Sequence, residues 1–220
     1  MTWELAALDI DACQQEMKLL REYFDLTETF LMKKRAQFEE TYAEVLRDHE
    51  FYDAMSDDIS QLWEGFPTTL LSMTLVAACS CIESAAAILC KKLDSEATFP
   101  KRTSWGDVRD RGLRRAAAFM KENFDIYLDD HAAWHSLCDY AEIRNCIVHA
   151  AGESDSVAKA APLLQAVKRR AHDGVSIDKD GRLRLTPAFA TRALSTIDAF
   201  WEALREALRQ NATIGPHYWP

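Results

Sequence analysis

Residues 68–93 read Thr-Thr-Leu-Leu-Ser-Met-Thr-Leu-Val-Ala-Ala-Cys-Ser-Cys-Ile-Glu-Ser-Ala-Ala-Ala-Ile-Leu-Cys-Lys-Lys-Leu. Leu70, Leu71, Leu75, Val76, Ile82 and Leu89 leave this segment little polar face, so it reads as a helix buried on most sides. Pro67 and Thr68 supply its start. A spanning helix needs about 20 largely uncharged residues. This stretch carries Glu83 and many small or hydroxylated side chains, so it reads as a core helix and no membrane segment is expected. Glu83 is its odd member, because a lone carboxylate there must find a partner or take up a proton.

On the N-terminal side, residues 3–50 read as long, charged helix. Ile10, Cys13, Met17, Leu20, Phe24, Leu31, Phe38 and Val45 follow a seven-residue repeat with polar gaps at Thr27, Lys34 and Thr41. Such a broken seam suits packing on neighbouring helices or on a partner helix. Asp57-Asp58 and Gly65-Phe66-Pro67 mark expected breaks. On the C-terminal side a loop at 94–103 leads to Ser104-Trp-Gly-Asp107, which resembles a capping box and predicts a helix over about 105–122. A turn at 123–130 and a helix over about 131–150 follow, ended by Gly152. A short helix is expected over about 157–172. Val175–Ile177, Asp178-Lys-Asp-Gly181 and Leu183–Leu185 spell a small β-hairpin. Thr186 then Pro187 marks an N-cap with proline at the first helical position, opening a last helix that runs to about 210. The aromatic end, residues 215–220, reads as a segment that docks on the body or on another subunit.

The 220 residues hold a full core, and only seven glycines and six prolines with little period-two alternation favour an all-α fold. The net charge of −9 argues against a general coat for duplex nucleic acid. Local basic clusters remain at Lys33-Lys34-Arg35, Lys101-Arg102, Arg109 to Arg115 and Lys168-Arg169-Arg170, each also explained by a solvated helix face. The six cysteines form no Cys-x-x-Cys pair and no zinc-ligand spacing, and most sit on apolar helical patterns. A reducing cytoplasm is the simplest setting. Met-Thr-Trp-Glu-Leu at the start has no signal-peptide pattern.

The chemistry-bearing segment is residues 142–152, Glu-Ile-Arg-Asn-Cys-Ile-Val-His-Ala-Ala-Gly. Glu142, Asn145 and His149 share one helical stripe, and Arg144 is displaced from it by one position. Arginine is a fixed cation suited to a phosphate oxyanion. Histidine takes and gives a proton near neutral pH. RNA carries its own nucleophile, the 2′-hydroxyl. His149 suits acid–base work on it, Arg144 suits the charge that develops on phosphorus, and Asn145 suits orienting either. No metal ion or other cofactor is called for. On spacing alone an arginine followed by histidine also arises by chance, and a histidine near a helix end often only caps carbonyls. Other candidates are weaker. His131 and His135 lie four apart but lack a third ligand. Ser136 lacks a nucleophile elbow, and no glycine-rich phosphate loop occurs. Trp3, Trp63, Trp105, Trp201 and Trp219 read as core or interface aromatics.

The pattern Arg144-Asn145-Cys-Ile-Val-His149, preceded about sixty residues earlier by an apolar helix bearing Glu83 and followed by a hairpin and a final helix, resembles the HEPN superfamily. That family's motif is arginine, four to six residues, then histidine. The resemblance covers about 67–210. It implies an HEPN-like helical bundle with a long N-terminal helical region and a small C-terminal hairpin. The chain is then one domain over 1–220, with an N-terminal extension at 1–66, a core at 67–152 and a C-terminal helix, hairpin and helix at 153–220. It implies a homodimer with two motifs facing a shared cleft. It also implies metal-independent endoribonuclease activity on RNA, commonly in toxin–antitoxin or phage-defence systems with an antitoxin or defence partner protein. Carried over, Arg144 and His149 are the catalytic pair and Asn145 the supporting polar residue. Glu83, which falls near the family's acidic position, pairs with Arg144 or His149 or forms a plain ion pair; Glu142 is a second supporting acid. One toxin branch extends the motif to His-x-Tyr, but Ala151 stands in the tyrosine place here, so nucleotidyl transfer onto that position is not expected. The alternatives are a noncatalytic HEPN-like module that binds RNA or protein, and a helical scaffold or partner subunit using the 3–50 helix.

Overall fold

The computed structural model describes residues 2–43, 53–95, 102–157 and 160–211, with side chains from residue 10 onward. The chain is mostly helical, with a single two-stranded antiparallel hairpin among the described residues. Helix α1 spans Thr2–Tyr42. Helix α2 (Ser56–Ser60) runs through a π-helical turn (Gln61–Gly65) into α3 (Phe66–Ser95). Then come α4 (Gly112–Phe124), α5 (Trp134–Ala150), α6 (Ala160–Arg170), strands β1 (Val175–Ile177) and β2 (Leu183–Leu185), and α7 (Pro187–Gln210).

Helix α3 is the axis of the molecule, touching α1, α4, α5 and α7. Leu70, Leu71, Leu75, Ile82 and Leu89 are buried along it as expected, but Val76 is half-buried and Phe66, Met73 and Ile88 are exposed, so one apolar face of the helix lies open. The main apolar core reaches from Ile10 of α1 to Leu208 of α7, and a smaller cluster of Phe24, Leu31, Leu70, Leu71 and Ala190 lies beside it. Half of its most apolar 18-residue stretch is buried inside the protein; by length and composition alone the helix would also be long enough to cross a bilayer.

The α1 seam of Ile10, Cys13, Met17, Phe24 and Leu31 is buried, and it packs on this chain's own α3. The two helices run antiparallel. Cys13 Sγ lies 2.9 Å from Cys81 Sγ near one end, and Arg35 reaches Leu62 and Trp63 at the other. Polar gaps in the seam are satisfied within the helix: the hydroxyls of Thr27 and Thr41 donate to the carbonyls of Tyr23 and Gln37. Val45 lies outside the described residues.

Three boundaries differ from expectation. The expected breaks at Asp57-Asp58 and Gly65-Phe66-Pro67 are helical. The two aspartates sit in the first turn of α2, where carboxylates favour the positive helix end. Pro67 lacks the N–H that would bond the carbonyl four residues back. Arg35 fills that role, its Nη2 donating to the Trp63 carbonyl and its Nε to the Leu62 carbonyl, each at 3.0 Å. Second, Ser104 does not cap a helix. Its carbonyl accepts from Asp107 N–H at 3.0 Å in a turn, its hydroxyl faces Asp94 and Gly106, and α4 begins only at Gly112. Trp105, in that turn, and Val108 are buried in the core, which pins the irregular chain before α4 to the bundle. Third, α5 begins at Trp134, after a 3-10 turn at Leu128–Asp130.

The hairpin falls on the expected residues, with Val175 opposite Leu185 and Ile177 opposite Leu183. Asp178 shapes its turn, accepting from Asp180 N–H at 2.9 Å, Arg182 N–H at 3.0 Å and Arg184 Nε at 2.7 Å. Those bonds, that of the Arg182 amide foremost, hold its carboxyl below the usual range. Thr186 caps α7 by accepting from Phe189 N–H at 3.3 Å, with Pro187 first in the helix. The aromatic end, residues 215–220, lies outside the described residues.

Candidate active site on helix α5

Helix α5 carries the segment 142–150, and left-handed backbone at Ala151 (φ 49°) and Gly152 (φ 81°) stops it. The Gly152 N–H closes the end by donating to the Cys146 carbonyl at 3.2 Å. The core side is set by Tyr140, Ile143 and Cys146, all at most 1% exposed. Rotation by about 100° per residue then fixes where the polar side chains stand.

Arg144 emerges on the α3 side of α5. Its Nη2 donates to Glu83 Oε2 at 3.3 Å, and its Nη1 donates to Asn145 Oδ1 at 3.0 Å. Its Nε is buried without a partner. Both members of the ion pair are largely shielded, with side-chain exposures of 21% for Arg144 and 26% for Glu83. The second oxygen of Glu83 meets the start of α4: a Cβ at Gly112 would stand 3.0 Å from Oε1, and Gly112 has φ +54°. Glu83 therefore ties α3 to α5 through a guanidinium and seats on the opening turn of α4, where free N–H groups favour an anion. One turn before it, the buried Cys79 thiol is pushed up to about 12, by burial first and by Glu83 second, with Arg144 opposing. The field of the ion pair thus reaches into the core.

His149 is exposed, in the last turn of α5, and makes no hydrogen bond or ion pair among the described residues. It lies five positions after Arg144, which sets the two roughly 140° apart around the helix axis. Asn145 lies between them and already holds Arg144, so it links the two flanks. Glu142, on the stripe of Asn145 and His149, faces Arg114 of α4, with Nη2 to Oε1 at 4.0 Å. The motif residues thus share one end of α5, but the guanidinium is aimed at α3 and the imidazole at solvent. A hollow of about 350 Å³ borders this end, between Thr68 and Ser72 of α3, Ile147 of α5, and Arg182 and Arg184 of the hairpin.

The basic run Lys168-Arg169-Arg170 is only in part a solvated face. Asp139 of α5, 1% exposed, accepts from Arg169 Nε at 3.1 Å and from its Nη2, and Arg170 Nε lies 3.1 Å from the other oxygen. Arg170 continues to Ser136 at 2.9 Å and to Asp173 at 3.4 Å, and Arg192 of α7 stands 3.7 Å from Asp173. This network clamps α6 and α7 to the motif helix. Of the other histidines, His131 uses Nδ1 to accept from Ala133 N–H at 3.3 Å, and its ring lies edge-on to Phe200. Among the described residues no group of three His, Cys, Asp or Glu side chains is placed to hold a metal ion.

Comparison of the chain with known protein families, with curated proteins and with solved structures finds no match.

Proposed function

We propose that this protein is a metal-independent endoribonuclease of HEPN type, with Arg144 and His149 as its reacting pair. The observation that supports the reading best is the pairing of a held guanidinium with an unengaged imidazole on one short stretch of α5. His149 removes the 2′-hydroxyl proton of a ribose lying over the helix end. The 2′-oxygen bonds to phosphorus, the bond to the 5′-oxygen breaks, and that oxygen takes a proton from solvent. Arg144 stabilises the phosphorane's added negative charge. The products are a 2′,3′-cyclic phosphate and a 5′-hydroxyl, and DNA is not cut. Because the two groups stand on different flanks of one helix, the RNA strand must wrap the α5 end. A homodimer, a toxin or phage-defence role and a partner protein that restrains the enzyme are also part of the proposal.

Cleavage of mixed RNAs in the presence of EDTA tests this reading. His149→Ala should lose roughly 10²–10⁴-fold in rate while keeping the wild-type circular dichroism spectrum. Loss of cutting in wild type under EDTA, or unchanged cutting in His149→Ala, rejects it.

A second reading, a noncatalytic module that binds RNA or protein, is favoured by one particular feature. Both terminal nitrogens of Arg144 are already engaged by Glu83 and Asn145, as in a structural ion pair. In that case pure wild type cuts no RNA, and Arg144→Ala lowers the melting temperature.

A further inference from the structure

Helix α1 has two apolar seams. The first is buried on α3. The second, Leu19, Tyr23, Leu26 and Phe30, steps by four, three and four residues along the solvent side, and these side chains are 55%, 62%, 72% and 56% exposed. Steps of four and three are those of side chains that interlock between two helices. Beside this seam α3 presents Phe66 and Met73, 53% and 60% exposed. Between the two helices lies an apolar groove of about 570 Å³, which Tyr23, Phe30, Phe66 and Met73 help to line. Monomeric proteins seldom leave so continuous an apolar face in water.

We infer that this face seats a second copy of the same chain, with the two α1 helices crossing antiparallel near Tyr23 and Leu26. Two observations choose this occupant. The exposed parts of the six apolar side chains add up to roughly 700 Å², close to the roughly 800 Å² that each partner of a stable complex contributes. The seam is also self-complementary when reversed. Continuing it by three residues at each end reaches Glu16 on one side and Lys33 on the other, both exposed, with one Glu16 oxygen also accepting from the Cys81 thiol of α3 at 3.4 Å. Antiparallel pairing sets Leu19 against the partner copy's Phe30, Tyr23 against its Leu26, and Glu16 against its Lys33, twice over by symmetry. The acidic residues Glu22 and Asp25 lie to one side of the seam, not on it. This interface is built on the N-terminal helix, which the motif resemblance does not cover, and it stands whether or not α5 cuts RNA.

Sedimentation of the full chain without RNA, from about 1 to 100 μM, tests the assignment. Wild type should sediment as a dimer. Leu26→Glu, which alters an exposed position, should keep the helical spectrum, weaken dimerisation at least 100-fold and abolish the rise of melting temperature with protein concentration that a dimer shows. Glu16→Lys and Lys33→Glu should each weaken it, and the double exchange should restore it, which reports the antiparallel register. A wild-type monomer at 100 μM overturns the inference. So does a dimer that persists in Leu26→Glu, which would place the contact elsewhere, or a double exchange that fails to rescue. Loss of ribonuclease activity with the dimer intact would count against the α5 reading alone.

Discussion

At the scale of single residues, Glu83 is the position on which the candidate site turns, because it meets Arg144 of α5 and the first residue of α4 together. Its isolation in an apolar helix is visible in the sequence, and so is the need for a partner. That the partner is Arg144 and not His149 depends on how two helices rotate against each other sixty residues apart, which no local pattern encodes. Gly112 is equally silent in sequence. Its φ of +54° strains any side chain, and a Cβ there would stand 3.0 Å from Glu83 Oε1, so the carboxylate would have to give way. Gly112→Ala should destabilise the fold by about 1–2 kcal/mol from backbone conformation alone, and it should also push Glu83 off Arg144; urea unfolding and the loss of additivity with Glu83→Gln measure the two effects. Cys79 gives a pH test. Its thiol ionises near 9.0 when unfolded and is pushed up to about 12 in the fold, mainly by burial. The folded state therefore keeps the proton longer, so its contribution is complete below about pH 9 and is lost as pH rises toward 12. Thermal melts between pH 8 and 11 should show falling stability with a shallower slope in Cys79→Ala, and native Cys79 should resist Ellman's reagent at pH 8 until urea is added.

At the scale of elements, periodicity and turn chemistry located most of what exists. The hairpin was legible because Asp178-Lys-Asp-Gly181 sits between two short apolar pairs. The start of α7 was legible because Thr186-Pro187 is a strong local signal. The start of α4 was not, since Ser104 and Asp107 form a tight turn with the same residue types that cap a helix. The continuity of α2 into α3 was hidden too, because the carbonyls that Pro67 and the π-turn leave open are answered by Arg35, from another helix. The same limit concealed the clamp on Asp139, whose arginines read in sequence as a surface cluster. Asp139→Ala leaves Arg170 with less of its charge answered in a site that is 19% exposed, while Arg169, at 51%, recovers water. The cost should fall near the lower end of the about 3–5 kcal/mol seen when a buried pair loses one member. Urea midpoints for Asp139→Ala against Arg169→Ala check this, the second change being the milder. Hydrogen exchange should show α6 loosening first, since Asp139 anchors two of its arginines to α5.

At the scale of the whole molecule, the long first helix decides what counts as the folding unit. Read from its sequence, the chain is one domain over 1–220, with residues 1–66 as its N-terminal extension. In the structure Ile10, Cys13 and Met17 belong to the same apolar cluster as Leu75, Ile82 and Trp201. Arg21 pairs with Asp198, and Arg205 pairs with Asp11, so α1 is also tied to α7 by charge. Burial of three such side chains stabilises the fold by roughly 1.5–3 kcal/mol each, a large share of the about 5–15 kcal/mol that holds a typical domain. Deleting residues 1–43 should therefore not yield a smaller folded core. It should expose the groove-facing and core-facing sides of α3 together, and the product should be insoluble or bind the dye ANS with a collapsed near-ultraviolet spectrum. In the intact chain, unfolding followed by far-ultraviolet circular dichroism and by tryptophan fluorescence, which samples the buried Trp201, should give one coincident transition. Two separated transitions, with a stable soluble fragment from residue 53 onward, would show that α1 is an appendage and that the motif helix stands on a core of its own.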